Sequence, residues 1–142
     1  MERSIQQKQE AIKRLFAAAS TPEEKYQIIL DLGKTQPKLS PGEKSDKTLV
    51  HGCQSVTHLK ATVENDRLVF AIESEALISA GLGQLLVRVY SGETPETILS
   101  TPPTYVTELG ILAGLSTGRA HGFASMYERI RFEAFKMLQQ SA

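Results

Sequence analysis

The residues of this 142-residue chain with the most chemistry lie close together: His51-Gly52-Cys53-Gln54-Ser55, followed by His58. Cys53 is the sole cysteine. Its thiolate can act as a nucleophile or as a metal ligand. For the nucleophile, Gly52 and Cys53 fall between a short apolar stretch and a hairpin, hence at a bend. A bend exposes the sulfur, and glycine lets another backbone approach closely. The alternative is a buried, inert cysteine acting as a small hydrophobe. For the metal, His51, Cys53 and His58 are three ligand types suited to zinc or iron–sulfur chemistry, with His121 or a carboxylate as a fourth. That set has one sulfur and no Cys-x-x-Cys pair. A cysteine hydrolase needs a histidine base and a group to orient it. His51, His58 and His121 are available, but no orienting residue is identifiable.

Other matches are weaker. Gly81-Leu82-Gly83-Gln84-Leu85-Leu86 begins like a dinucleotide-binding fingerprint, but Leu86 stands at the third glycine and the segment reads as helix. Glu23/Glu24 and Glu73/Glu75 read as solvated charges at helix starts rather than acid–base pairs.

Composition narrows the classes. Lys+Arg and Asp+Glu both number 16, so the formal net charge is zero. Residues 1–71 carry 11 basic and 9 acidic side chains, and residues 72–142 carry 5 and 7. Neither half has the excess that tracks nucleic-acid phosphates. Near-zero charge also does little to oppose a homodimer. No apolar run reaches the roughly 18–20 residues of a membrane span, and the N-terminus lacks the apolar core of a secretory signal. With a single cysteine, a reducing, cytoplasmic location is the expectation. The length suits one domain, residues 1–142.

The elements that must position Cys53 follow from local pattern. Residues 1–19 read as helix. Thr21-Pro22-Glu23-Glu24 is a helix start with cap, N1 proline and capping box, and Gly33 reads as that helix's stop. Residues 34–47, rich in Pro, Ser and Gly, form a loop long enough to favour function. Residues 48–51 suggest a short strand. Strands over 55–64 and 67–73 flank an Asn65-Asp66 turn, with Leu59, Ala61 and Val63 sharing a face and Leu68, Phe70 and Ile72 another. Ser74 reads as the cap of a helix over 75–90, where Gly81 and Gly83 signal close packing or a local irregularity. Short helices follow from Thr94-Pro95 to Leu99 and from Tyr105 to Leu112. Ser116 or Thr117 caps a long final helix. Helices, hairpin, helices is an α+β order.

The block Leu49-Val50-His51-Gly52-Cys53-Gln54-Ser55-Val56 resembles the SufE family of sulfur acceptors. Glu23-Glu24-Lys25-Tyr26-Gln27-Ile28-Ile29 with Leu32-Gly33 is similar to the family's second helix. Ser74-Glu75-Ala76-Leu77-Ile78-Ser79-Ala80-Gly81-Leu82 resembles its segment after the hairpin. Leu115-Ser116-Thr117-Gly118-Arg119-Ala120-His121-Gly122-Phe123 with Met126 resembles the start of its last helix. The resemblance implies a small antiparallel sheet packed by helices on one side, a fold shared with iron–sulfur scaffold proteins.

It also implies a function. Cys53 would accept sulfane sulfur from the persulfide of a SufS-like cysteine desulfurase and pass it to an iron–sulfur assembly scaffold. On this reading the chain is an accessory protein rather than a free-standing enzyme. It holds no metal or cofactor, and pyridoxal phosphate resides on the partner. His51, Gly52, Gln54 and Ser55 form the supporting loop; Gln54 and Ser55 are expected to orient it through side-chain-to-backbone bonds. Arg119, Glu75 and His58 are candidates for contact with the partner or the sulfur anion. This chain departs from the family pattern at His58, where the family often has Trp, at Glu75 for Asp, and at Phe123 for Leu. An arginine in the first turn opposes the helix dipole, which favours a tertiary or partner role for Arg119.

Overall fold

The computed structural model describes residues 3–141. The order is α1 (Ile5–Phe16), α2 (Pro22–Gly33), β1 (Thr57–Glu64), β2 (Arg67–Ser74), α3 (Leu77–Tyr90), α4 (Pro95–Ser100), α5 (Thr104–Glu108) and α6 (Thr117–Ser141), with single 3-10 turns at Pro41–Glu43 and Leu112–Gly114. This is the expected α+β fold.

Helix starts are set by local caps. Ser4 and Gln7 form a capping box that begins α1; residues 1 and 2 of the expected 1–19 helix lie outside the described residues. Thr21 accepts from the Glu24 amide, and Pro22 stands at N1 of α2. Ser116 Oγ accepts from the Arg119 amide (3.2 Å) at the start of α6. The expectation of a Ser74 cap is wrong. Ser74 ends β2, and its hydroxyl shares a 2.9 Å bond with Thr57 Oγ1 across the sheet. Helix α3 begins two residues beyond Glu75, with Ala76 at the N-cap and no capping side chain.

The two strands pair antiparallel in register Thr57↔Ser74 through Glu64↔Arg67. Asn65 and Asp66 both take positive φ, 52° and 61°, as a tight type I′ turn requires. Segment 48–51 does not form a strand of its own. It makes two backbone bonds to β1, Val50 N to Thr57 O (2.9 Å) and Leu59 N to Thr48 O (2.8 Å). Leu59, Leu68, Phe70 and Ile72 are buried on the helical face of the sheet. The 34–47 loop covers the end of the other face. Leu39 is buried there, its amide donates to Glu73 Oε1 (2.8 Å), and Lys44 pairs with the same oxygen (3.2 Å).

Helix α3 is the central element. Residues from Ile78 to Leu86 are buried without a break. It packs so closely on α2 that a Cβ on Gly81 would stand 1.9 Å from the Ile29 carbonyl oxygen. Gly33 likewise faces the Leu77 carbonyl, where a Cβ would stand 2.2 Å away. The helix ends at Gly33, as expected, but without a left-handed glycine cap: the C-cap is Lys34, in ordinary helical conformation, and Gly33 serves the backbone approach. Gly81→Ala would gain about 1 kcal/mol in helix propensity. The clash with rigid backbone outweighs this, and a net loss of about 2 kcal/mol is expected, read as a lower midpoint in urea unfolding.

Candidate functional site

Cys53 sits where the chain enters β1, at a bend made by Gly52 with φ +93°. The bend is pressed against the first turns of α6. A Cβ on Gly52 would lie 2.4 Å from Ser125 Oγ and 3.2 Å from His121 Nε2. Position 52 must therefore be glycine for two independent reasons, conformation and space. The close approach is to this chain's own final helix.

The Cys53 side chain folds inward. It is half-buried against the core, and Sγ–H points to the Gly122 carbonyl at 3.6 Å. A Cβ on Gly122 would lie 3.7 Å from Sγ, so the sulfur rests on bare backbone. Burial pushes the thiol above its usual range. The neighbouring Thr57 hydroxyl and the charge of Arg119 act in the other direction and do not overcome it. In this conformation the sulfur is a protonated, sheltered thiol.

Arg119 organises the C-terminal limb of the bend. One guanidinium nitrogen, Nη1, donates to Ser55 Oγ and to Ser79 Oγ, each at 2.8 Å. One cation of α6 thereby ties the cysteine loop to α3. Thr57 Oγ1, fully buried, donates to the Ser55 carbonyl (3.0 Å) and continues the network to Ser74. Gln54 makes no such bond. Its side chain lies flat over Gly118, where a Cβ would stand 2.0 Å from Nε2. The loop is thus oriented by a side-chain bond from Arg119 to Ser55 and by packing of Gln54, rather than by side-chain-to-backbone bonds from both residues.

Arg129 is a functional candidate that sequence reasoning missed. Its guanidinium donates to the Leu49 carbonyl (2.9 Å) and to the Lys47 carbonyl, and pairs with Glu133 (3.7 Å). Arg119 and Arg129 lie about 15 Å apart along one helix. They pin the two limbs of the cysteine loop, and Val50–Gln54 spans the interval. No local signal marks Arg129, because its partners are 80 and 82 residues away.

The remaining predicted residues are placed apart. His51 is exposed beside the bend. His58 points to the opposite face of the sheet, since it alternates with the buried Thr57 and Leu59. There its Nδ1 is 2.9 Å from Thr48 Oγ1 and its cross-strand neighbour is Glu73. Glu75 is exposed just past β2, with its amide bonded to the Val56 carbonyl (3.0 Å). Among the described residues no three His, Cys, Asp or Glu side chains converge as metal ligands. His51, Cys53 and His58 therefore do not form the ligand set that their spacing offered, because strand alternation turns His58 away.

The arrangement is one sheltered thiol on a surface loop that bends at Gly52 and is tied down at two points by Arg119 and Arg129. Residues 10–134 match the family described as SufE: Fe-S metabolism associated domain. The sulfur acceptor protein CsdE of Escherichia coli is 32% identical over 123 residues, covering 85% of this chain and 84% of the relative. An uncharacterized SufE-like protein of Rhizobium etli is 32% identical over 117 residues, 79% of each chain. The solution structure of a hypothetical protein from Thermus thermophilus covers 93% of this chain and 96% of its own, with TM-score 0.74 and 23% identity, and so shares the fold. With a match that runs from α1 into α6 and takes in the whole cysteine loop, the chain belongs to the SufE family.

Proposed function

We propose that this chain is a sulfur acceptor that carries a persulfide on Cys53 and serves a cysteine desulfurase. The observation that carries the reading is the placement of Cys53 at a glycine-hinged bend on the surface, its sulfur folded back onto Gly122. The CsdE relative, named a sulfur acceptor, supports it.

The step is thiol–persulfide exchange. The Cys53 thiolate attacks the terminal sulfur of the partner's cysteine persulfide. A new S–S bond forms on Cys53, the partner's S–S bond breaks, and the partner's cysteine leaves as thiolate. Sulfur moves with its proton, and no oxidant or reductant is consumed. The pyridoxal phosphate that generates the donor persulfide resides on the SufS-like partner. A second exchange delivers the sulfur to an iron–sulfur scaffold. The protein is accessory to the desulfurase and stays in a reducing cytoplasm, with the exposed Glu75 and the charge of Arg119 as its candidate partner contacts. Among the described residues no helix is long and apolar enough to cross a membrane.

Shelter and reactivity conflict, and the loop resolves the conflict. Folded inward, Cys53 is shielded from oxidation and from stray thiols. To attack, it leaves Gly122 and swings about Gly52, losing the burial that holds its proton. Alkylation of Cys53 by iodoacetamide is therefore expected to be slow alone, and to climb with pH past the range, near about 8.5, where a free thiol titrates. With desulfurase bound, the rate is expected to rise and its midpoint to move to lower pH. Equal rates with and without desulfurase would count against the opening.

A further inference from the structure

The end of the domain away from Cys53 carries a second surface of different chemistry. Strand β2 runs from Ser74, beside the cysteine loop, to Arg67, about 23 Å away. At that far end α1 turns Lys8, Ala11, Ile12 and Leu15 toward the last turn of α3 and the Ser91–Glu93 strip, enclosing a cleft of about 660 Å³. The floor is apolar: Ile12 is buried and Leu15 keeps 42% of its surface exposed.

The rim is cationic and unmatched. Lys8 is already engaged, bonding to the Ser91 carbonyl (2.9 Å) and to Glu93, the cleft's single carboxylate. That leaves Arg3 and Arg88 on the rim with no acid of their own. Two neighbouring depressions of about 390 and 550 Å³ meet the cleft at Arg3; the first is lined by Arg14, from a different face of α1, and the second by Arg67, whose guanidinium donates to the Gly92 carbonyl (3.0 Å). The first also contains Glu10, which pairs with Lys13 (3.5 Å). Among the described residues, no ion pair uses Arg3, Arg14, Arg67 or Arg88. On a chain of zero net charge, this is a local excess of positive charge around an apolar floor. The three depressions together exceed a usual small-ligand cavity.

We infer that this trough docks an acidic amphipathic helix of a protein partner, at a site separate from Cys53. Leucine-type side chains of the helix seat on Ala11 and Leu15, in the manner of a helix in a groove. Its carboxylates pair with the arginine forks of Arg3 and Arg88. A partner held here leaves the cysteine loop free to reach a different protein.

The test is a titration of the full-length, isotope-labelled protein followed by amide NMR. The probe is a synthetic helix with leucine at i, i+3, i+4 and i+7 and glutamate elsewhere. Its control is the same peptide with lysine for glutamate. The expected result is saturable shifts centred on Lys8, Leu15, Arg88 and Gly92 with the acidic peptide, weakening as salt rises, and none with the basic peptide. Arg88→Glu and Leu15→Ser are each expected to weaken binding about tenfold. Both side chains are solvent-accessible, so thermal unfolding is expected to hold for both variants. Cys53 alkylation is expected to stay at the wild-type rate, which separates this site from the sulfur chemistry. Shifts confined to the cysteine loop, indifference to Arg88→Glu, or binding of anionic phosphatidylglycerol vesicles in place of the peptide would overturn the assignment.

Discussion

Replacing Cys53 with serine is expected to abolish the chain's stimulation of its desulfurase and leave its thermal unfolding unchanged. The fold can absorb the change. Cys53 is only half-buried, at a bend outside the strands, and its thiol makes a weak 3.6 Å bond to the Gly122 carbonyl that a hydroxyl can also make. The chemistry cannot absorb it. Exchange with a persulfide requires a thiolate, and a serine hydroxyl neither ionises near neutral pH nor attacks sulfur. Turnover should fall to that of the desulfurase alone. Retained stimulation would show that the chain acts by non-covalent contact. Unfolding of the variant would make Cys53 a structural residue.

Gly52→Val is expected to have the opposite effect on reactivity. Valine is strained at φ +93°, at a cost of about 1–3 kcal/mol. Its Cβ would also stand 2.4 Å from Ser125 Oγ. Both penalties apply only while the loop is closed on α6, so they drive it open. A shift of about 1.4 kcal/mol is tenfold in the open population. Alkylation of Cys53 without any partner should therefore accelerate about tenfold. Gly42→Val is the control: no atom lies within 4 Å of a Cβ there and φ is not positive, so the wild-type rate is expected. An unchanged rate in Gly52→Val would mean that the Gly52 contact does not hold the cysteine in.

Local pattern was enough to find most of the framework. The Thr21-Pro22-Glu24 start of α2, the Asn65-Asp66 turn and the Ser116 cap of α6 each depend on residues within a few positions of one another, and each is found where expected. Ser74 misled for the same reason. A serine before a helix reads as a cap, but Ser74 is the register partner of Thr57, and a cross-strand bond claims its hydroxyl. The site divides along the same line. Cys53 and Gly52 stood out by residue type. The shelter over them did not, because it is made by Gly118, Gly122 and Ser125, which reach the loop only when α6 packs back on it. Gly81 and Gly83 did announce tight packing, and the partners proved to be the Ile29 backbone for one and the Ile72 side chain for the other.

Arg119 shows how far residue type alone can lead. Its place in the first turn of α6 suggested a tertiary role, and the bonds to Ser55 and Ser79 supply one. Its charge also bears on the Cys53 thiol, in the direction of the thiolate.

The most direct measurement is the mass of the Cys53-containing peptide after incubation with a cysteine desulfurase and free cysteine. The account predicts a gain of one sulfur on Cys53, reversed by a reducing thiol and absent when the desulfurase is omitted. An unmodified peptide, taken while the desulfurase is demonstrably turning over faster in the presence of this chain, would contradict it.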